Sequence, residues 1–129
     1  QWQIFLNYSY QQAVDRSNKQ SPLYNAPLPY TPRHSGAVRL AVSHRQWSVA
    51  YNALLSGYRY RLGEPIADNI VKEWATQDLL IAFEPIGKQR NKFRFTLELN
   101  NIFNSQYEVI RYYPMPRFNF RTGLRFIFS

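Results

Sequence analysis

Residues 93–100 read FRFTLELN, and every second residue in this stretch is apolar. The residues between them, among them Arg94 and Glu98, are charged or polar. Successive side chains of a β-strand point to opposite faces of the sheet, so strict alternation indicates a strand with one apolar and one polar face. This stretch therefore predicts a sheet rather than a helix.

The same period of two recurs along the whole chain. Apolar residues such as Ile4 and Leu6, or Val38 and Leu40, are separated by single residues of the other face. Gly57 is expected to relax the alternation within the third strand. The expected strands are 2–10, 35–43, 47–60, 78–86, 93–100 and 118–128. We therefore predict an all-β fold, an antiparallel meander of about six strands.

Long and short connections alternate between these strands. The long ones, rich in proline or polar residues, are 15–33, 61–77 and 104–117. The short ones are 44–46 and a basic turn that holds Gly87, Lys88, Arg90 and Lys92. Outer-membrane barrels have this asymmetry, with short periplasmic turns and long extracellular loops. The longest apolar run, 79–83, is far below the roughly 18 residues of a membrane helix, so the pattern predicts a transmembrane β-meander.

Two further features favour an apolar face that meets lipid and a polar face that meets a water-filled lumen. Aromatic residues gather towards the strand ends, as interfacial girdles require: Trp2, Tyr8, Tyr10, Trp47, Tyr58, Tyr60, Phe118 and Phe128. The polar face carries charges in mid-strand, which a wet lumen tolerates: Arg39, Arg94, Glu98, Arg121 and Arg125. We expect Glu98 to pair with an arginine across the closing hairpin.

A sheet of about six strands does not close by itself in a membrane. Single-chain bacterial barrels begin at about 8 strands. An open sheet in lipid would leave two edges of unpaired backbone groups. We therefore expect either more chain or several copies to complete the barrel.

No catalytic chemistry is visible in the sequence. The absence of cysteine excludes a disulfide framework, a thiolate zinc site and a cysteine nucleophile. There is no G-x-S-x-G, phosphate-binding glycine loop or H-E-x-x-H motif. His34 and His44 border opposite ends of one expected strand, and Glu84 and Glu98 lie on different strands. We expect no enzyme activity, no catalytic residue, no metal site and no cofactor.

The C-terminal third carries specific motifs, LNNIFNSQYE at 99–108, YPMP at 113–116 and RFIF at 125–128. These segments resemble the end of a TonB-dependent outer-membrane receptor, and the YPMP sequence is similar to that of receptors of the Bacteroidetes type. Upstream, Pro32-Arg33-His34, Trp47 and Arg59-Tyr60 resemble the family's barrel segments. Ser129 departs from the family pattern, in which the chain ends on the aromatic residue.

The resemblance implies a barrel of about 22 strands with an N-terminal plug domain. Residues 1–129 would be the C-terminal segment of this barrel, with the plug and the remaining strands outside the chain and Gln1 at a cut point. The implied activity is active uptake of a scarce nutrient, namely a siderophore, haem, cobalamin or a glycan. The implied location is the bacterial outer membrane, with short turns periplasmic and long loops extracellular.

Partners follow from the same resemblance: outer-membrane lipid, the rest of the barrel and its plug, and the TonB energising complex through parts outside this chain. Aromatic and cationic side chains in the expected extracellular loops could stack on or pair with an anionic ligand. The candidate ligand-binding residues are Arg59, Arg61, Tyr107, Arg111, Tyr112 and Tyr113.

Three alternatives stay open. A chain with net charge +8 and 17% aromatic residues could be a nucleic-acid-binding β domain. However, its aromatic and arginine residues fall mostly on opposite faces, so we expect no nucleic-acid partner. A small oligomeric pore, to which each copy gives its strands, needs no missing partner. A receptor split within a loop would keep the transporter function.

Overall fold

The computed structural model describes residues 1–85 and 92–127. Within them the chain forms ten β-strands and one short 3-10 helix at Ala67–Asn69. The strands are β1 (Trp2–Tyr10), β2 (His34–His44), β3 (Trp47–Ser56), β4 (Arg59–Tyr60), β5 (Ile70–Val71), β6 (Trp74–Phe83), β7 (Lys92–Asn100), β8 (Glu108–Ile110), β9 (Tyr113–Pro114) and β10 (Asn119–Ile127). No helix in the described ranges is long and apolar enough to cross a membrane.

Six long strands form one antiparallel sheet in the order β1-β2-β3-β6-β7-β10. Each strand pairs with the next long strand along the chain, so the sheet is a meander. The predicted all-β meander of about six strands is therefore confirmed. A hairpin turn at 45–46 joins β2 to β3, with Arg45 at φ 52°. The predicted basic turn at Gly87, Lys88 and Arg90 lies outside the described residues, as do Phe128 and Ser129.

The expected boundary of the fourth long strand was wrong. We expected a loop over 61–77 and a strand from Asp78, but β6 begins at Trp74 and ends at Phe83. Trp74 pairs with Ser56, and Gln77 pairs with Ala53. Pairing with β3 thus extends β6 into a segment whose residues do not alternate between apolar and polar. Cross-strand pairing therefore overrides the local pattern here.

The register places apolar residues in a continuous row across all six long strands. One row runs from β1 to β10 through Ile4, Leu40, Tyr51, Leu79, Leu99 and Phe120. The adjacent row on the opposite face starts at Phe5 and is polar from there on, through Arg39, Asn52 and Asp78, with Asn100 opposite Asn119 at its far end. A sheet with one apolar and one polar face results.

The apolar face has no core beneath it among the described residues. Among the described apolar residues only Ala50, Val71 and Ala82 are buried. Ile4 is 77% exposed and Leu124 is 64% exposed. The sheet ends at β1 and β10, each of which pairs with a single neighbour within the described residues. Both a face and two edges are thus left without partners inside this chain.

Aromatic side chains mark both ends of the apolar face. At the short-turn end, Trp47 and Phe83 lie with ring centroids 4.7 Å apart. At the long-loop end, the Tyr8 hydroxyl lies 2.7 Å from Nδ1 of His34, and the Tyr10 ring lies 5.2 Å from the same imidazole. The apolar band is therefore bounded by two aromatic belts.

Two small sheets lie at the long-loop end of the molecule. We expected the third strand to continue to residue 60, but β3 ends at Ser56, and β4 leaves the main sheet to pair with β5 of the second loop. In the third loop, β8 pairs with β9. These loops therefore have defined backbones, which position the side chains described next.

Candidate functional site

The tip of the third loop is a hairpin that presents aromatic and cationic groups. Arg111 and Tyr112 form its turn between β8 and β9, with Tyr112 at φ 69°. The Arg111 guanidinium lies 5.2 Å from the centroid of the Tyr112 ring. The Glu108 carboxylate accepts a hydrogen bond of 3.0 Å from the Tyr112 amide. Tyr112 and Tyr113 are each 69% exposed.

The base of the third loop is built around Asn101. This side chain is buried, and its residue adopts φ 50°, which asparagine tolerates better than most residues. Its amide donates to the Ser105 and Pro116 carbonyls at 2.8 and 3.3 Å, and its side-chain oxygen accepts from the Ser105 amide at 2.8 Å. Its backbone N–H donates to Asp78 at 2.8 Å. The LNNIFNSQYE motif therefore has a structural role in closing this loop.

Tyr107 joins the third loop to the sheet. Its ring stacks on Trp74 of β6 with centroids 4.8 Å apart. Burial raises the pKa of the Tyr107 phenol, and the negative charge of Asp78 raises this pKa further. Since Asp78 lies on the polar face, the third loop leans over that face of the sheet.

A groove of about 450 Å³ lies between the second and third loops. It is lined by Ile70, Val71, Lys72, Glu73, Gln106, Tyr107, Glu108, Arg111, Tyr112 and Pro114. Three of the predicted ligand-binding residues, Tyr107, Arg111 and Tyr112, are thus brought together. We call this feature the loop groove.

Three charged residues of the loop groove were missed by the sequence reasoning: Lys72, Glu73 and Glu108. Lys72 and Glu73 lie in the second loop, and no sequence motif relates them to the tip of the third. The groove is therefore lined by charges of both signs. The carboxylates come from Glu73 and Glu108, the ammonium group from Lys72 and the guanidinium from Arg111. Such a lining can hydrogen-bond a polar ligand and stack on a planar one.

Arg59 differs from the other predicted ligand-binding residues because it is only 4% exposed. Its Nη2 donates to the backbone carbonyls of Glu108 at 2.7 Å and Val109 at 2.6 Å. Its Nη1 donates to the backbone carbonyl of Lys72 at 3.4 Å. Burial lowers the pKa of the guanidinium from its usual value, and interaction with Tyr30 acts in the opposite direction. Arg59 therefore lies behind the groove and binds its backbone.

Arg61 and Tyr113 are not among the residues that line the loop groove. Arg61 is partly buried beside β4, and its backbone amide donates to Asn69 at 2.7 Å. Tyr113 begins β9 and is exposed on the hairpin. The prediction that these two residues bind ligand stays a prediction.

The predicted charges of the polar face have defined neighbours. Arg121 Nε lies 3.2 Å from Glu98 Oε2, as expected for the closing hairpin, and Arg94 lies 3.9 Å from Glu84. Arg39 donates to Asn52 at 3.0 Å, and Arg125 lies directly opposite Arg94 in the ladder. The face therefore presents charge and hydrogen-bonding groups along its length.

A second depression, of about 490 Å³, lies on the apolar face at the long-loop end. Its lining includes Tyr8, Gly36, Leu55 and Ala75, which form one row across four strands.

In the described part of the chain, no group of three or more histidine, aspartate or glutamate residues could hold a metal ion.

No family profile matches the sequence, and no curated protein matches it. Solved structures do match its fold. The ferric citrate transporter FecA in its unliganded form aligns with 98% of this chain at a TM-score of 0.80 and 18% identity. The ferric-catecholate import receptor Fiu from K12 E. coli, in a closed form, aligns with 98% at a TM-score of 0.75 and 22% identity.

The chain spans about a fifth of the length of these two structures, 21% of FecA and 19% of Fiu. The TM-scores establish a shared fold, and sequence identities this low leave the substrate open. The predicted resemblance is confirmed at that level: the six-stranded sheet has the fold of a portion of a TonB-dependent outer-membrane receptor barrel.

Proposed function

We propose that this chain is the C-terminal barrel portion of a TonB-dependent outer-membrane transporter. The transporter takes up a scarce nutrient by gated passage and not by catalysis. The nutrient class is a siderophore, haem, cobalamin or a glycan. The long loops lie outside the cell and contact the nutrient, while a plug domain and the TonB energising complex act through parts of the protein outside residues 1–129.

The observation that carries this proposal is the pair of open edges on a sheet with receptor-barrel fold. Within residues 1–85 and 92–127, β1 and β10 each have one neighbour, and all residues of β1 are exposed. In lipid, backbone groups at an open edge would lack hydrogen-bond partners, so the sheet needs further strands on both sides. The remaining strands of a larger barrel supply them.

The dimensions of the apolar face support a membrane-spanning role. From Trp47 to Leu55, eight residue steps at about 3.3 Å give about 26 Å along β3. A strand tilt of about 40° reduces this to about 20 Å along the barrel axis, close to the roughly 25 Å apolar band of outer-membrane barrels. The opposite face, with Arg39 and Glu98, would then meet the lumen.

The orientation can be tested by labelling intact cells with a membrane-impermeant maleimide, since the 129 residues contain no cysteine. Lys19→Cys and Asp68→Cys place a thiol on the exposed first and second loops, and Arg45→Cys places one on the exposed short turn. We expect labelling at the two loops in intact cells and at Arg45→Cys only after the outer membrane is permeabilised. Labelling of all three in intact cells, or of none, contradicts the proposed location.

Uptake is tested by growth on a limiting nutrient. Deleting the gene is expected to abolish growth on one of the four nutrient classes, and deleting TonB is expected to do the same. Truncating the tip as Arg111→Ala with Tyr112→Ala should reduce uptake, whereas Arg45→Gln at the other end of the sheet should not. Growth that depends on the gene but not on TonB contradicts active transport.

A small oligomeric pore is the second candidate, because the same open edges could pair with copies of this chain. The denatured intact mass from the native membrane separates the two. A mass several-fold above 15.4 kDa supports one long receptor. A mass near 15.4 kDa with a larger companion indicates a split receptor, and such a mass with only copies of itself contradicts the transporter.

A further inference from the structure

Hydrogen bonds from all three long loops converge on Arg59 and Tyr60, the two residues of β4. In the first loop, the Tyr30 amide donates to the Tyr60 carbonyl at 2.7 Å. In the second loop, β4 pairs with β5. In the third loop, the Glu108 and Val109 carbonyls accept hydrogen bonds from Arg59.

The burial of Arg59 is not compensated by a carboxylate. The ion pairs in the described part of the chain are Arg94 with Glu84 and Arg121 with Glu98. The described hydrogen-bond partners of the Arg59 guanidinium are carbonyl oxygens of the second and third loops. Taking a guanidinium out of water is costly, so these carbonyls must be held in place for the arrangement to persist.

The shape of the guanidinium explains why arginine occupies this position. It presents its donors in a rigid plane, so one side chain can bridge several acceptors at once. Here it joins the carbonyl of Lys72, in the second loop, to those of Glu108 and Val109, in the third. Lys72 and Glu108 also line the loop groove, so their positions set its width.

We propose that β4 fastens the three long loops into one unit: the Tyr60 carbonyl holds the first loop, and Arg59 is a positioning residue that joins the second loop to the third and thereby sets the shape of the loop groove. Arg59 acts on the groove through the backbone of Lys72 and Glu108 and does not line it. The loops therefore open together and not one by one. The proposal rests on the proposed function only in treating these loops as the ligand-contacting side, and the loop coupling is tested without any ligand.

The first test is hydrogen exchange in the unchanged protein, isolated from its membrane. The amides of Tyr30, Arg61 and Met115 each donate a hydrogen bond and begin in a different loop. One shared opening event exposes them all, so we expect their protection factors to agree within about threefold. Protection factors that differ by more than about tenfold, as separate local openings produce, would overturn the proposal.

The second test compares Arg59→Gln and Arg59→Lys with Arg45→Gln, which removes a charge from the exposed short turn. Both Arg59 variants are expected to speed amide exchange in the second and third loops by on the order of tenfold, because hydrogen bonds from a charged donor are lost. The amide of Ile81, in the middle of the sheet, should keep its rate. Arg45→Gln should change none of these rates.

Arg59→Lys separates the planar shape of the guanidinium from its charge. A compact ammonium cannot bridge the same three carbonyls, so this variant should behave like Arg59→Gln. Full protection in Arg59→Lys, unchanged loops in both variants, or equal loss of protection at Ile81 would each overturn the proposal. If neither variant folds, the measurement on the unchanged protein decides. A failure of the proposed transport function would show in the cell-labelling pattern and leave these exchange rates unaffected.

Discussion

The indole of Trp74 lies against the phenol ring of Tyr107, with ring centroids 4.8 Å apart and ring planes tilted by 37°. Trp74 begins β6, and Tyr107 precedes β8 in the third loop. This contact is a direct link between the loop and the polar side of the sheet. It holds the Tyr107 side of the loop groove in position.

Removing this stack should loosen the third loop. Tyr107→Ala is expected to lower the local free energy of opening by about 1–2 kcal/mol, since an aromatic pair contributes about 0.5–1.5 kcal/mol beyond its buried area. Limited proteolysis within 105–117 measures the change. Tyr113→Ala, at an exposed residue of the same hairpin, should change it by less than about 0.5 kcal/mol. Equal effects of the two substitutions would contradict the structural role of the stack.

The pKa of Tyr107 predicts a loss of stability in alkali. Burial raises this pKa in the folded protein above its ordinary value of about 10. The folded state thus holds the phenol proton more tightly than the unfolded state does. The resulting stability is complete below about pH 10 and is lost as the pH rises through the folded pKa.

Near-ultraviolet absorbance of tyrosinate measures this titration. The difference between the unchanged protein and Tyr107→Phe should show one phenol that ionises later than the average tyrosine. Tyr107→Phe should also lose less stability than the unchanged protein as the pH rises, because the phenol group that ionises at residue 107 is absent. A difference curve centred at or below the ordinary tyrosine pKa would contradict the burial of Tyr107.

Asn101 should matter more than any other residue of the LNNIFNSQYE motif. Asn101→Ala leaves the Ser105 amide and two carbonyls without their partner and forces alanine into φ 50°, at a combined cost of about 3 kcal/mol. Asn101→Gly should cost about 1 kcal/mol less, because glycine adopts this conformation freely. Urea unfolding followed by tryptophan fluorescence compares the two. A loss below about 0.5 kcal/mol in both variants would show that Asn101 does not organise the loop.

Gly123 keeps β10 close to β7. A Cβ atom at this residue would lie 2.7 Å from the Thr96 hydroxyl oxygen, closer than Cβ atoms approach other heavy atoms. Gly123→Ala is therefore expected to destabilise the hairpin by about 1–2 kcal/mol. Adding Thr96→Ala removes the clashing atom and should restore most of the loss in the same urea assay. No rescue in the double variant would contradict this cause.

The long strands could be predicted because their residues alternate where one face is apolar. Phe93 to Leu99 shows this alternation in full, and β7 forms there. The start of β6 could not be predicted, since Trp74 lies on the polar face while Gln77 lies on the apolar one. The strand is extended there by pairing with β3, and a local pattern carries no information on that pairing.

The candidate site was predicted in part, for a related reason. The aromatic and cationic character of the third loop identified Tyr107, Arg111 and Tyr112, which line the loop groove. Arg59 belonged to the same chemical class in the sequence, yet its partners are carbonyls of the second and third loops. Which loop arginine turns inward depends on contacts between distant segments, so composition and spacing could not separate it from the others.

Spin labelling along β3 tests most directly which face of the sheet meets lipid. Single nitroxide labels can be attached along β3 through Val49→Cys, Tyr51→Cys, Ser48→Cys and Asn52→Cys, in the protein reconstituted in bilayers. Their accessibility to oxygen, which dissolves in lipid, is compared with accessibility to a water-soluble nickel chelate. We expect oxygen accessibility at Val49 and Tyr51 and its absence at Ser48 and Asn52, in strict alternation. Nickel accessibility at Val49 and Tyr51, or no alternation at all, would contradict a membrane-spanning sheet with its apolar face to lipid.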